Sequence, residues 1–438
     1  MFGTSGIRGP VGEVVTADLA LSVGRALGVD ADRVVIGRDP RESGRFLADA
    51  LAAGLRESGT DVVRLGLAAT PTIARAVAWQ DADAGVSVTA SHNPPEDNGL
   101  KLWQPSGQAF DGPLREAITE RIESRAFEPA AWEDVGESSR CDARDRHLDA
   151  LLDAVSVERE LSVVVDVGNG AGGITADALC DLGCDVQTLN AQPDGAFPGR
   201  PSEPTAENCA TLCDVVRGSG ADLGIAHDGD ADRMLAVAGD GSWIGGDLLL
   251  ALFARGAAGD GQRVAAPVDT SLAVDDALAD VGATVTRTPV GDVYVAERAS
   301  EPDVAFGGEP SGAWIWPEET LCPDGPLAAV KLVELVAREG ALADLVREID
   351  AYPIRRTSVE VAADAKDEAM DRVEAAVRER YDHVDDLDGV RVDLGDAWFL
   401  VRASGTQPLV RVTAEARDAA RTDEVFEEAR GLVEDATG

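Results

Sequence analysis

Val34-Val35-Ile36 leads through Phe46, Leu47, Ala50, Leu51, Gly54 and Leu55 to Glu57-Ser58-Gly59-Thr60-Asp61-Val62, and this succession decides the fold. The first three residues read as a buried strand. The next six share one helical face, and Gly59 caps that helix before a second strand begins. The same order returns twice. Val163-Val164-Val165 precedes a helix through Ile174, Ala178 and Leu182, then Asp181-Leu182-Gly183-Cys184-Asp185-Val186. Val264-Ala265-Ala266 precedes a helix through Leu272, Ala277, Leu278 and Val281, then Asp280-Val281-Gly282-Ala283-Thr284-Val285. Apolar strands alternating with amphipathic helices predict mostly parallel sheets covered on both faces, and hence three related α/β domains.

The last segment departs from that order. Strand-like Thr357-Ser358-Val359-Glu360-Val361 runs into a charged helix near Asp367 to Arg380. Strands follow at Val390-Arg391-Val392, Trp398-Phe399-Leu400-Val401 and Val410-Arg411-Val412, then a last acidic helix. Successive strands with helices set apart from them predict a smaller C-terminal α+β domain. Polar or turn-rich stretches at Glu137 to Asp145, Gly239-Asp240-Gly241 and Tyr352-Pro353 suggest the divisions. The expected domains are 1–144 with a serine loop, 145–241 with an acidic loop, 242–353 with a Glu/Ser loop, and 354–438 with a basic loop.

Of 438 residues, 39 are Lys or Arg and 80 are Asp or Glu, a net charge of −41. Only Lys101, Lys331 and Lys366 are lysines, so arginine supplies nearly all the positive charge. With 45% hydrophobic and 27% charged residues the chain is globular. So acidic a surface disfavours phosphate backbones and anionic membranes, and neither nucleic acid nor membrane is an expected partner. Met1-Phe2-Gly3-Thr4-Ser5-Gly6 lacks the basic and apolar regions of a secretory signal. The longest apolar run, Leu248 to Ala254, is far shorter than the ~20 residues a membrane helix needs. Six cysteines are too few for a disulfide framework. Cys180/Cys184 and Cys209/Cys213 have the spacing of one helix face rather than of a zinc site, so buried or half-buried thiols in a reducing compartment are expected. Abundant carboxylates with scarce lysine point to a salt-rich cytoplasm, where a Debye length of ~3 Å at 1 M screens self-repulsion.

Strand Val86-Ser87-Val88 enters Thr89-Ala90-Ser91-His92-Asn93-Pro94-Pro95, followed by Asn98-Gly99-Leu100-Lys101. The paired prolines end the strand and present Ser91 on a loop. Taken alone, Ser91 reads as an ordinary loop serine: no G-x-S-x-G surrounds it, and His92, as its immediate neighbour, is expected to point elsewhere. Asp228-Gly229-Asp230-Ala231-Asp232-Arg233 is a second signal, because three carboxylates at alternate positions repel unless they converge on a cation. A hard divalent ion suits them, magnesium above all where a phosphate adds an oxygen. Arg233 at the sixth position and Gly239 at the twelfth exclude an EF-hand. A solvated acidic turn is the alternative, weakened by the apolar strands on either side.

Gly168-Asn169-Gly170-Ala171-Gly172-Gly173 fits G-x-G-x-x-G, but the following strand ends in Asn190-Ala191 without the acidic residue that holds a ribose. A tight strand-to-helix turn without NAD is the better reading. No Walker-type G-x-x-x-x-G-K-[ST] is present. Gly307-Gly308-Glu309-Pro310-Ser311-Gly312 offers a carboxylate and a hydroxyl to a polyol, though a plain turn fits equally. Arg402-Ala403-Ser404-Gly405-Thr406-Gln407-Pro408, with Arg411 beyond, has the makings of a phosphate clamp or of an arginine-bearing hairpin turn. Phosphoryl transfer to and from a sugar phosphate needs all four kinds of loop. Two other classes remain: an aspartyl-phosphate phosphatase using Asp228 as nucleophile, and an NAD(P)-dependent oxidoreductase at Gly168 to Gly173.

Across essentially its whole length the chain resembles an α-D-phosphohexomutase. The resemblance rests on Gly3-Thr4-Ser5-Gly6-Ile7-Arg8-Gly9, Thr89 to Pro94, Asp228 to Arg233, Gly308 to Gly312 and Arg402 to Pro408, in family order and spacing. It implies that Ser91 is the phosphoserine, and that Asp228, Asp230 and Asp232 hold one magnesium ion together with the phosphate on Ser91. Arg233 would steady that group, with Arg8 and Lys101 as proton-transfer candidates and His92 kept beside Ser91 in the catalytic set. Glu309 and Ser311 would grip sugar hydroxyls. Arg402, Ser404, Gly405, Thr406 and Arg411 would clamp the distal phosphate. The implied reaction moves a phosphoryl group between O6 and O1 of a hexose phosphate, with a sugar 1,6-bisphosphate as intermediate and activator, in a monomer or homodimer. The short opening motif and Asp97-Asn98-Gly99-Leu100-Lys101 resemble the phosphoglucosamine mutase branch more than phosphomannomutase/phosphoglucomutase. Two departures from the family pattern bear on the sugar: Ala313 stands where histidine is usual, and Gln407 where glutamate is.

Overall fold

The computed structural model describes residues 2–3, 6–362, 365–381, 383–403 and 409–437. Its strands form four sheets. The first contains β1 (Ile7–Pro10), β2 (Arg33–Arg38), β3 (Asp61–Leu67), β4 (Ala84–Val88), β5 (Asp97–Trp103) and β6 (Ser138–Arg140), in the order β1-β5-β4-β2-β3-β6. The second contains β7 (Ser162–Asp166), β8 (Asp185–Leu189), β9 (Leu223–His227), β10 (Met234–Ala238) and β11 (Trp243–Ile244), in the order β11-β10-β9-β7-β8. The third contains β12 (Arg263–Pro267), β13 (Thr284–Thr288), β14 (Val304–Glu309) and β15 (Ala313–Ile315), in the order β13-β12-β14-β15. The C-terminal sheet is antiparallel throughout: β16 (Ile354–Glu360), β17 (Val384–Asp385), β18 (Val390–Asp393), β19 (Ala397–Ala403) and β20 (Leu409–Ala416), in the order β16-β20-β19-β18-β17.

One four-strand unit is built three times. β2 pairs in parallel with β3 on one side and β4 on the other, and β5 folds back antiparallel on β4. β7, β8, β9 and β10 repeat that arrangement, and so do β12, β13, β14 and β15. At the junctions expected from sequence, the helices Gly44–Glu57, Ile174–Asp181 and Leu272–Ala279 stop just before Gly59, Gly183 and Gly282, whose φ values are +92°, +86° and +73°. A Cβ is disfavoured in that left-handed region, so glycine lets the chain turn from helix to strand without strain.

The apolar run Leu248 to Ala254 lies in the core helix Gly246–Ala257. It belongs to a continuous buried cluster that joins Val163 and Ile225 of the second sheet to Val264 and Phe306 of the third. The C-terminal domain has a separate core around Val373, Phe399, Val412 and Leu432. It docks on its neighbour through buried Glu415, which accepts from Ser271 Oγ (2.5 Å), the Leu272 N–H (2.7 Å) and Trp398 Nε1 (2.7 Å). No helix among the described residues is long and apolar enough to cross a membrane. The cysteine expectation needs correcting for one pair. Cys180 is exposed and Cys184 lies beyond the end of its helix, so that pair does not share a helix face. Buried Cys209, at the N-cap of the helix Ala210–Ser219, accepts through its main-chain oxygen the N–H of half-buried Cys213 one turn on (3.1 Å).

Candidate active site

The threefold unit explains why distant motifs meet. β4, β9 and β14 each lie between a parallel and an antiparallel neighbour, and each gives way at its C-terminal end to a hairpin connection. Those connections carry Ser91, Asp228 to Arg233, and Ser311. Ligand sites favour the carboxyl ends of strands at such a change of direction. The loops are also tied to one another: Ser202 Oγ donates to Ser91 O (2.8 Å), the Thr70 N–H to Asp230 O (2.8 Å), and the Met234 N–H to Gly312 O (2.9 Å). Together with Arg402 at the end of β19 they line a cleft of about 630 Å³.

Ser91 is buried and has φ +49°, uncommon for a residue with a Cβ. Its Oγ donates to Asp228 Oδ2 (2.5 Å) and lies 3.5 Å from Asp232 Oδ1. Contrary to the sequence expectation, His92 does not turn away: its Nδ1 lies 3.3 Å from Ser91 Oγ. Burial, and then the cations Arg233, Arg8, Arg41 and Lys101, push that imidazole down to about 2, so it is neutral near pH 7.

Sequence reasoning missed what holds this loop. Arg41, fully buried, pairs with Asp39 (2.9 Å) and donates to the main-chain oxygens of Ser91 (2.9 Å), Asn93 (2.6 Å), Pro94 (2.5 Å) and Asp97 (2.9 Å). Its guanidinium also faces the Phe197 ring at 4.9 Å. Arg38-Asp39-Pro40-Arg41 at a strand end was the available signal. Burial pushes Asp39 up to about 6 even beside Arg41. Arg41→Ala strands that carboxylate and four carbonyls, so it should lower unfolding free energy by about 3–5 kcal/mol, read from denaturant titration. A change under 1 kcal/mol would show that the loop is held by other contacts.

Asp228, Asp230 and Asp232 place one carboxylate oxygen each within 4.8 Å of one another, and all three are buried. Burial, Asp230 and Asp232 push Asp228 well above the usual carboxylate range, while burial and then Asp230 push Asp232 up to about 6. Asp230 Oδ2 accepts from Thr70 Oγ1 (2.7 Å), but its Oδ1 is buried without a partner. An orphaned carboxylate oxygen beside two others fits a hard divalent cation, whose charge would relieve the repulsion. Glycines at 170 and 172 serve this loop: a Cβ at Gly170 would meet Gly229 O at 2.7 Å, and one at Gly172 would meet the His227 ring at 3.0 Å. Close packing against the acidic loop therefore accounts for those two positions of the glycine-rich turn.

Lys101 is buried between Asp292, its salt-bridge partner, and Asp232 (3.8 Å), with Trp103 4.6 Å away. Burial works to lower its pKa, but Asp292 and Asp232 outweigh that and hold it above the usual lysine range. Asp292 carried no sequence signal. Arg8 lines the cleft with its buried Nε unpartnered, and Arg233 lies beside it in the wall, 3.9 Å from Glu203. Arg356, from β16, is a further cleft cation that sequence reasoning missed.

Glu309 accepts from the Gly291 N–H (2.8 Å) and lies 3.4 Å from Ser311 Oγ. Burial, and then Asp292, push it from 4.5 up to about 7. A raised carboxyl costs the fold increasingly as pH climbs from its unfolded value to its folded one, and by a constant amount above. Glu309→Gln should therefore differ little in stability from the unsubstituted protein near pH 4.5. Above pH 7 it should be more stable, by on the order of 3 kcal/mol. Denaturation at pH 5 and 8 checks this, and an offset independent of pH would contradict it.

Of the basic loop the structure describes Arg402 and Ala403, and it describes Arg411 on the strand after it. Arg402 reaches the cleft and pairs with Asp388 (3.1 Å), whereas Arg411, its register partner on β20, is exposed and is not part of the cleft wall. Ser404, Gly405, Thr406 and Gln407 lie outside the described residues. Ala313 is in the wall next to Ser311.

Four family models match the chain in succession: phosphoglucomutase/phosphomannomutase alpha/beta/alpha domain I over residues 1–129, domain II over 145–241, domain III over 245–352, and the C-terminal domain over 357–432. A protein of Methanococcoides burtonii named a probable phosphoglucosamine mutase is 46% identical, covering 100% of this chain and 99% of its own. One of the same name from Methanopyrus kandleri is 47% identical, covering 98% and 96%. A crystal structure of a phosphoglucomutase/phosphomannomutase family protein from Burkholderia thailandensis superposes with a TM-score of 0.89 at 29% identity, covering 100% and 98%.

Proposed function

We propose that this chain, which belongs to the phosphoglucomutase/phosphomannomutase family of α-D-phosphohexomutases, interconverts glucosamine 6-phosphate and glucosamine 1-phosphate. The observation that carries the choice of sugar is the cluster of carboxylates in the cleft wall, Glu309, Asp292 and Asp269. Asp292 is paired with Lys101, but Asp269 has no such partner among the described residues. Both aspartates raise the Glu309 carboxyl after burial, so a cation near Glu309 and Asp269 would favour its ionised form. The ammonium at C2 of glucosamine offers Glu309 and Asp269 such a cation, and the C2 hydroxyl of glucose or mannose does not. The names borne by relatives at 46% and 47% identity support the same choice.

In this reading Ser91 carries the phosphoryl group. A sugar hydroxyl attacks phosphorus as the Oγ–P bond breaks. The hydroxyl loses its proton, Ser91 Oγ regains one, and a 1,6-bisphosphate results. After the sugar turns end for end, the other phosphate returns to Ser91 with the same exchange of protons reversed. One magnesium ion held by Asp228, Asp230 and Asp232 supplies neutralisation of the charge on the transferring group. Arg41 and Ser202 fix the Ser91 carbonyl, so the Oγ is already positioned. Lys101, held protonated by Asp292 and Asp232, serves as a cation and proton donor rather than as a base. Arg8 and Arg233 orient the phosphate, Glu309 and Ser311 the sugar, and Arg402 with residues 404–406 the distal phosphate. Since either phosphate must reach that last position, the clamp accepts both orientations of the sugar.

The acidic, lysine-poor composition supports a salt-rich cytoplasm as the working compartment. The deciding experiment measures turnover of glucosamine, mannose and glucose 6-phosphates with magnesium, catalytic bisphosphate and several molar KCl. The expected result is a kcat/KM for glucosamine 6-phosphate at least about tenfold above the others. Equal or better turnover of mannose 6-phosphate would overturn the assignment of the sugar while leaving the family untouched.

A further inference from the structure

A second cleft, of about 1020 Å³, opens between the first two domains and shares no lining residue with the sugar-phosphate cleft. Five arginines line it, Arg38, Arg45, Arg64, Arg140 and Arg144, against three aspartates. In a chain with 39 basic and 80 acidic residues, that excess of positive charge is a local reversal.

The aspartates are already occupied. Asp49 pairs with Arg64 (2.6 Å), Asp177 pairs with Arg144, and Asp142 accepts the Arg144 N–H (3.0 Å). Arg45 and Arg140 have no side-chain partner among the described residues, and Arg38 donates only to the main-chain oxygen of Asp39 (2.9 Å).

Three of these placements run against local electrostatics. Arg64 and Arg140 are register partners on neighbouring strands β3 and β6, where like charges side by side are destabilising. Arg45 sits in the first turn of the helix Gly44–Glu57, whose N-terminus disfavours a cation. Arg38 is held below the usual arginine range by burial and then by Arg45. An anion bound among them would remove all three penalties together. The lining also includes Leu65, Leu67, Ile174 and Pro193, and Leu67 is 41% exposed, so apolar surface adjoins the charge. The volume suits a ligand larger than one phosphate.

We propose that this interdomain cleft binds a small organic molecule carrying a di- or triphosphate, held by Arg38, Arg45 and Arg140. Arginine forks match phosphate oxygens bidentately, and adjacent phosphates can engage all three side chains at once. The organic part packs on Leu65, Leu67 and Ile174.

ADP is the probe, titrated calorimetrically into the full-length protein in metal-free buffer at the lowest KCl concentration that keeps the chain folded by circular dichroism. Binding should weaken at least tenfold in R45Q/R140Q, persist unchanged in R402Q, and be displaced by inorganic pyrophosphate. R45K/R140K, which keeps the charge, should recover part of the affinity. Arg45 and Arg140 are exposed, so both double variants should fold, and their mutase turnover without ADP should stay within twofold. Equal ADP binding by the unsubstituted protein and R45Q/R140Q overturns the proposal. So does loss of binding in R402Q, which locates the nucleotide in the catalytic cleft, and so does failure of pyrophosphate to compete.

Discussion

Ser91→Ala should abolish mutase turnover, lowering kcat by about four orders of magnitude or more, because in the proposed reaction it removes the atom that carries the phosphoryl group between the two halves. The fold should survive. Alanine occupies the +49° φ of Ser91 no worse than serine does, and Arg41 and Ser202 hold the main-chain oxygen of residue 91 rather than its side chain. The short bond lost is Oγ to Asp228, with the longer contacts to His92 Nδ1 (3.3 Å) and Asp232 Oδ1 (3.5 Å). Asp228 is raised well above its usual range, so without that donor it protonates further instead of being left as a bare buried charge. The change in unfolding free energy should therefore stay within about 1–2 kcal/mol. Two measurements on one preparation decide it: product formation in a coupled assay, and a thermal melt. Turnover within tenfold of the unsubstituted protein would remove Ser91 from the chemistry. Lost turnover together with a collapsed melt would mean that the serine is structural.

The second large effect concerns the three aspartates. Asp230→Asn should cost at least about a thousandfold in turnover, since in the proposed reaction it would weaken the cation site that neutralises the transferring phosphate. In chelator the same substitution should raise the melting temperature, because Asp230 contributes to raising both Asp228 and Asp232 and its charge goes unopposed there. These opposite signs separate a functional carboxylate from a structural one. The pH dependence follows from the raised carboxyls. Ionising them costs the metal-free fold progressively as pH rises from the ordinary value of 3.8 through about 6, where Asp232 titrates. Removing metal should then depress the melting temperature more at pH 8 than at pH 5, and Asp230→Asn should narrow that gap. Chelation that shifts the melt equally at both pH values would argue that no cation is held by this triad.

Much of the site was legible because its residues act through local chemistry. Three alternating aspartates between apolar strands suit a cation, and a serine held between a strand and two prolines is bound to lie on a loop. What escaped were the groups that act on other groups. Arg41 holds Ser91 from fifty positions away, and Asp292 holds Lys101 from a different domain; neither stands in a motif. His92 was expected to diverge from Ser91, and the left-handed backbone at Ser91 instead brings its ring nitrogen to 3.3 Å. Arg411 is a site expectation that remains a proposal. It follows the basic motif in the sequence, is exposed, and lies opposite Arg402 on the neighbouring strand.

The sequence by itself determined the secondary structure, the threefold order of strand, helix, glycine and strand, and the types of group available to each loop. Hydrophobic period, capping glycines and turn residues act over a few neighbours, so a linear string carries them in full. Only the tertiary structure decided that the connections after β4, β9 and β14 face one another, that Lys101 is held charged, and that arginines gather between the first two domains. Those outcomes depend on how sheets pack and on which charges lose water together. Both are properties of distances in space that spacing along the chain does not encode.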